Sequence, residues 1–293
     1  MELTTREAWI VASRPRTLPA AVAPVLVGSG LAAGEGVFRW GAFGAALAGA
    51  LAIQVAANFA NDASDAKRGA DVERVGPPRM VTAGVISARR MWAATWLAVG
   101  VATLAGVYLI TVAGWVVAAI GAASVLAMLT YVGGPVPYGY RGLGEASVLV
   151  FFGFVATVGT RFVHDRSAPA SAWFLGMVMG MMAAAILVAN NLRDLDTDSR
   201  AGKRTLAVMI GRERTRVLYT SVLLGSFGLV VAGPIAGITP PLTALAAMLV
   251  GFTAPLIRRA RTATDPAALI GLLGGTARLQ LLVGIALAVT AAV

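Results

Sequence analysis

The chain has 293 residues, 58% of them hydrophobic and only 13% charged, with a mean hydropathy of +0.78. Soluble globular domains carry about 25% charged residues, so this composition belongs to an integral membrane protein. Cysteine is absent, which excludes disulfides. The net charge of +10 would suit nucleic acid, but the placement of the charges argues against that.

A bilayer span needs about 20 mostly apolar residues. Runs of that kind occupy 17–34, 41–60, 91–110, 114–132, 144–162, 171–192, 215–235, 239–257 and 268–292. Nine helices are expected, or eight if the third and fourth runs, parted only by Thr111 to Ala113, are one. The stretch before the first run, with Glu2, Arg6 and Glu7 ahead of Trp9, lacks the pattern of a cleavable signal. No soluble domain or long linker intervenes, so residues 1–293 read as a single polytopic membrane domain. Gly41, Gly44 and Gly49 in the second run, and Gly176 and Gly180 in the sixth, read as devices for close helix packing in lipid.

The second run ends in Asn58-Phe59-Ala60-Asn61-Asp62-Ala63-Ser64-Asp65-Ala66-Lys67-Arg68-Gly69-Ala70-Asp71. On a helix, Asn58, Asp62 and Asp65 at i, i+4 and i+7 share one face, and Asn61 stands four before Asp65. Asp71 and Glu73 lie off that face, with Asp71 near enough to swing in. Such carboxylates are either solvated groups that temper a basic loop or, because ionisable groups near lipid are costly, functional ones. Two carboxylates and an amide at a membrane surface suit a hard divalent cation such as Mg2+.

The loop from Tyr131 to Glu145 is rich in Gly and Pro, which mark turns. Its tyrosines are either interfacial belt residues or aromatic faces that steady a carbocation. Glu145 opens the next run as an acidic first turn. His164, alone within Arg161-Phe162-Val163-His164-Asp165-Arg166, has no second ligand nearby and reads as surface structure.

The sixth run ends in an echo of the second: Asn190-Asn191-Leu192-Arg193-Asp194-Leu195-Asp196-Thr197-Asp198, followed by Lys203 and Arg204. Asn190 and Asp194 repeat the i, i+4 spacing, Asp198 is the next carboxylate on that face, and Asp196 lies off it. The shared spacing suggests an internal repeat, about 14–140 and 144–260, that brings two acidic helix ends together. Divalent ions bridging the carboxylates, with Arg68, Arg79 and Lys203 neutralising the remaining charge, would make a site for a lipid diphosphate.

Of the 24 Lys and Arg residues, only Arg39, Arg161 and Arg166 fall on the segments opposite the acidic clusters, and Arg278 falls inside the last run. The positive-inside rule places the clusters and their loops on the cytoplasmic side of the plasma membrane, as in a bacterial inner membrane.

Asn58-x-x-Asn61-Asp62-x-x-Asp65 with Gly69-x-Asp71, and Asn190-Asn191-x-Arg193-Asp194-x-x-x-Asp198, resemble the two aspartate-rich motifs of the UbiA superfamily of intramembrane prenyltransferases. Arg14-Pro15-Arg16-Thr17-Leu18-Pro19, Val75-Gly76-Pro77-Pro78-Arg79 and Pro137-Tyr138-Gly139-Tyr140-x-Gly142-Leu143-Gly144-Glu145 are similar to stretches of its branch that prenylates 1,4-dihydroxy-2-naphthoate in menaquinone synthesis. The likeness runs from Arg14 to about Tyr219. It implies an all-α bundle of nine transmembrane helices around a central cavity, capped by cytoplasmic loops.

Carried over residue by residue, it makes Asp62, Asp65, Asp194 and Asp198 catalytic, and gives them with Asn58 to Mg2+ and the diphosphate, with Asn190 close by. Arg68, Arg79 and Lys203 match basic positions near the diphosphate. Val136 departs from the pattern, since that position is often basic in similar proteins, which leaves Arg141 to assist diphosphate departure. The implied reaction is Mg2+-dependent transfer from a polyprenyl diphosphate to dihydroxynaphthoate, with loss of CO2 and diphosphate, giving demethylmenaquinone. Tyr131 and Tyr138 would line the pocket of the allylic cation, and Arg16 would meet the acceptor carboxylate. The competing expectations are another acceptor, such as 4-hydroxybenzoate or homogentisate, and a cation-coupled transporter.

Overall fold

A computed structural model describes residues 4–69, 76–135 and 137–293, and among them there is helix but no strand. Lipid offers no partner for backbone N–H and C=O groups, and a helix satisfies them within one segment. The helices are α1 Thr5–Ser13, α2 Pro19–Gly34, α3 Trp40–Arg68, α4 Ala88–Ala113, α5 Val116–Val132, α6 Gly144–Asp165, α7 Ala170–Arg200, α8 Leu206–Ile210, α9 Arg212–Ile235, α10 Pro241–Thr262 and α11 Pro266–Ala291.

Each expected run lies on one of these helices. Seven of them (α3, α4, α6, α7, α9, α10 and α11) are long and apolar enough to cross a bilayer, so the chain is a multi-pass membrane protein. An eighth is added if the segments Thr5–Thr17 and Pro19–Gly34, bent by 51°, form one span, and α5 is a shorter apolar helix. The third and fourth runs are separate, because α4 stops at Gly114, whose φ of 89° ends it.

The first acidic motif is helical from Asn58 through Asp65, and the second from Asn190 through Asp198. The helix α3 continues past its apolar run to Arg68 and stops at Gly69, with φ of 66°. Lys67 and Arg68 in its last turn complement the negative end of the helix dipole. Asp71, Glu73 and Val136 lie outside the described residues.

A core of Leu31, Leu175, Met179, Tyr219, Leu223, Leu272 and Val283 joins α2, α7, α9 and α11. The helices α6 and α7 touch backbone to backbone. A Cβ on Gly153 would stand 2.6 Å from the Gly176 carbonyl oxygen, and one on Gly180 would stand 2.7 Å from that of Leu149. This contact falls in Leu149–Val155, where α6 is wound as a π-helix. Gly41 packs on Tyr108, but Gly44 faces open space and Gly49 lines a cavity, so the expectation for Gly44 is corrected.

That cavity, of about 420 Å3, lies among α3, α4, α5, α6 and α7. It runs from the acidic ends of α3 and α7 to Leu109, Val117, Phe162 and Val163 at the opposite end of the bundle.

At that opposite end the surface assignment of His164 is also corrected. Its ring is fully buried and stacked on Phe38, Nδ1 accepts from the Arg39 amide at 2.9 Å, and Nε2 lies 3.3 Å from Ser29 Oγ. Beside it the buried Arg161 guanidinium donates to Asp165 at 2.5 Å and to Glu35. Charges that look exposed along the chain compensate one another once α2 and α6 pack together.

Candidate active site

The acidic end of the cavity is assembled from four stretches. The helix α3 brings Asp65, whose carboxylate accepts from Arg79 Nη2 at 2.9 Å and from the Tyr140 hydroxyl. The helix α7 brings Asp194 and Asp198. The turn after α7 brings Lys203, whose Nζ is 3.4 Å from Asp198 Oδ1 and 3.6 Å from Asp65 Oδ1. The loop before α6 brings Tyr140, whose ring centroid lies 4.8 Å from the Lys203 ammonium and 5.7 Å from the Arg68 guanidinium. The Arg204 amide also donates to the Tyr140 carbonyl at 3.0 Å, which ties the two loops together.

Asp194 is held by its neighbour Arg193, at 2.6 and 2.5 Å, and Arg193 also donates to Asn190 Oδ1 at 2.8 Å. Asp65, Asp194, Asp198, Asn58, Asn190, Arg79, Lys203, Tyr131 and Tyr138 all line the cavity. Asp62, Arg68, Arg16 and Arg141 do not. The buried Asp62 carboxylate instead accepts from the backbone amides of Met80 at 3.0 Å and Val81 at 3.1 Å, folding the loop after α3 back onto it. Arg68 donates to the Gly134 carbonyl at 2.6 Å. Arg141 is exposed, and the exposed Arg16 lies against Gly274 of α11.

Arg14 and Gln54 also line the site, from outside the two acidic motifs. Arg14 lines the cavity from the break between α1 and α2, where its φ of 52° is left-handed. That conformation costs a non-glycine residue roughly 1–2 kcal/mol and redirects the side chain. The break is clamped from α3: Asn58 Nδ2 donates to the Ser13 carbonyl at 2.8 Å and to Thr17 Oγ1 at 3.1 Å, and Gln54 Nε2 to Thr17 Oγ1 at 3.0 Å. Tyr131 and Tyr138 meet edge to face, with centroids 5.4 Å apart. The Tyr138 hydroxyl donates to the Ala127 carbonyl and lies 3.1 Å from Ser147 Oγ. Burial pushes its phenol above the usual range, opposed by the Ser147 hydrogen bond.

A family profile described as the UbiA prenyltransferase family matches residues 21–290. The chain belongs to the UbiA prenyltransferase family. This UbiA prenyltransferase is 42% identical over 216 residues to the 1,4-dihydroxy-2-naphthoate octaprenyltransferase of Mycobacterium tuberculosis, covering 73% of this chain and 74% of that protein. It is 36% identical over 232 residues to the Escherichia coli protein of the same name, covering 77% and 75%. A solved UbiA homolog from Aeropyrum pernix K1 shares its fold with a TM-score of 0.71 at 14% identity, covering 97% of this chain and 98% of that one. Another, from Archaeoglobus fulgidus and bound to DMAPP and Mg2+, does so with a TM-score of 0.67 at 14% identity, covering 95% and 98%.

Among the described residues no three carboxylate, His or Cys groups stand close enough to enclose a metal ion. The donor chemistry nonetheless fits Mg2+. Asp65, Asp194 and Asp198 offer hard oxygens on the cavity wall, and the buried Asn61 Oδ1 on that wall has no hydrogen-bond partner among the described residues.

Proposed function

We propose that this UbiA prenyltransferase transfers a polyprenyl group from polyprenyl diphosphate to 1,4-dihydroxy-2-naphthoate, releasing diphosphate and CO2 and giving the aromatic quinol, demethylmenaquinol, which becomes demethylmenaquinone only on a separate two-electron oxidation. One observation carries this: Asp65 and Asp198, from separate helices, share Lys203 at one end of a cavity that is polar there and largely apolar along the rest of its length. That shape matches a charged headgroup joined to a long hydrocarbon tail. The naming of the mycobacterial and E. coli relatives favours the naphthoate acceptor.

The donor's C–O bond breaks with its electron pair passing to the diphosphate. Arg79 and Lys203, already in place, stabilise the negative charge that grows there. Mg2+, held by Asp65, Asp194 and Asp198 with the Asn58 and Asn61 oxygens, would supply Lewis-acid charge against the diphosphate. Asp62, off the cavity wall with its oxygens accepting from the Met80 and Val81 amides, would act on this set through the loop it holds. The faces of Tyr131 and Tyr138 steady the allylic cation in a water-poor chamber. The carboxyl-bearing ring carbon attacks it, and that carbon's bond to the carboxylate breaks to release CO2 and restore aromaticity. Arg14, on the cavity wall, is better placed than Arg16 to meet the acceptor carboxylate.

The bent α1–α2 pair and α5 complete nine spans, and all 293 residues form one domain with a two-fold internal repeat. The Lys and Arg bias sets the acidic end on the cytoplasmic side of the plasma membrane, under loops that cap it. Family membership sets the transporter aside.

The test is purified protein in lipid nanodiscs with a polyprenyl diphosphate, Mg2+ and each candidate acid. Demethylmenaquinol, read directly or as demethylmenaquinone after oxidation in air, and CO2 are the expected products. Turnover with 4-hydroxybenzoate or homogentisate but not with the naphthoate would overturn the acceptor.

A further inference from the structure

We propose that Asn191 and Glu145 form the seat for a hydroxyl group of the aromatic acceptor. Asn191 Oδ1 accepts from that hydroxyl, and Glu145 is a positioning residue that aims the amide. The inference rests on the reaction proposed above.

Asn191 is buried on α7 and lines the cavity. Its Nδ2 donates to Glu145 Oε1 at 2.9 Å. With its NH2 end turned to that oxygen, the amide's carbonyl end is directed away from Glu145. Among the described residues nothing donates to Asn191 Oδ1.

The preceding amide has the opposite fate. Asn190 Oδ1 accepts from Arg193, and its Nδ2 faces Asp194 at 3.5 Å, so both ends serve the acidic cluster. Of two adjacent amides on the cavity wall, one is taken up by the diphosphate end and the other presents a bare acceptor.

A bare acceptor selects a ligand that carries an O–H or N–H group. A fully ionised diphosphate has only acceptors, and a prenyl tail has neither donor nor acceptor. The substrate that brings a donor is the hydroxylated aromatic ring.

The identity of Glu145 supports the same conclusion. A glutamine in its place would anchor Asn191, but it offers both a donor and an acceptor and would leave the amide free to flip. The carboxylate enforces one orientation. It does so although its second oxygen, Oε2, is buried with no hydrogen-bond partner among the described residues, an arrangement that costs stability. A merely structural link would not require it.

The test uses the full-length protein in nanodiscs and reads the KM of each substrate separately. It compares 1,4-dihydroxy-2-naphthoate with naphthoates lacking one hydroxyl, used as substrates or as competitive inhibitors. The wild type should favour the dihydroxy acid at least tenfold over one of these analogues. In Asn191→Leu that ratio should fall to near one while the KM for the prenyl diphosphate stays put. Glu145→Gln should raise the acceptor KM several-fold. The pair Glu145→Gln with Asn191→Asp, which rebuilds the bond with donor and acceptor exchanged, should recover most of the preference.

A ratio that survives in Asn191→Leu, or a parallel rise of both KM values, overturns the inference. Should Asn191→Leu fail to fold, Glu145→Gln and the exchanged pair decide alone. Should the wild type take 4-hydroxybenzoate and not the naphthoate, the acceptor proposed above falls, and the same ratio measured against benzoate still decides the seat.

Discussion

Asp65 and Asp198, on different helices and far apart along the chain, lie 3.6 and 3.4 Å from a single ammonium, that of Lys203. The lysine joins the two acidic motifs and also faces the proposed diphosphate. Lys203→Met should therefore lower kcat about 100-fold, the order seen when one preorganised charge-stabilising group is removed. Lys203→Arg should retain part of the activity. A prenyl-transfer assay on equal amounts of inserted protein checks this, and full activity in Lys203→Met would refute it.

Asp62 and Asp65 should separate in their effects, although they sit one turn apart. Asp62 holds the Met80 and Val81 amides, so Asp62→Ala should cost roughly 1.5–3 kcal/mol of stability as well as activity. Asp65→Asn keeps one acceptor, for Arg79, and turns its NH2 to the Tyr140 hydroxyl oxygen, so it should lose transfer with a smaller drop in melting temperature than Asp62→Ala. Thermal unfolding in detergent distinguishes the two, and an unshifted Tm in Asp62→Ala would contradict the assignment.

The oxygen donors on the cavity wall lead to a metal prediction. Stripping with EDTA should stop prenyl transfer, and added Mg2+ should restore it. Transfer that persists through chelation removes the metal from the proposal.

Chain length should respond to the chamber wall. A Cβ at Gly106, Gly121 or Gly159 would meet nothing within 4 Å, and all three line the cavity. Gly121→Leu or Gly159→Leu therefore fills space without displacing a neighbouring helix, and leucine is the better helix former. The KM for long donors should rise at least tenfold while that for short donors holds, as read with polyprenyl diphosphates of graded length.

At the opposite end, Arg161 depends on Glu35 and Asp165. Converting both to Gln and Asn leaves a buried guanidinium without its counter-charges, which should cost about 3 kcal/mol. The expected readout is a lower Tm with normal turnover per folded molecule.

The helices and the location of the site were legible in the sequence because both depend on local pattern. Apolar runs the length of a bilayer have one satisfactory backbone conformation in lipid, and carboxylates at the ends of such runs stand out. Side-chain facing was less legible. Asp62 and Asp65 share a helical face, yet only the folded loop reveals that Asp62 is engaged by backbone amides. Arg14 and Arg16 look equivalent until the left-handed turn at Arg14 aims one of them into the cavity. His164 reads as surface along the chain because its partner Ser29 comes from another helix, and the Glu35 that pairs with Arg161 is as distant. Asn191 was hidden beside Asn190, since only the direction of its amide tells the two apart.

The Arg161 cluster has a consequence for biogenesis. Glu35 follows α2 near the start of the chain, whereas its guanidinium partner belongs to α6. A nascent chain that has inserted only α2 and α3 carries an uncompensated carboxylate on the side distal to the acidic loops. Synthesis must proceed through α6 before that charge is matched, so the locking of the early hairpin waits on the middle of the polypeptide.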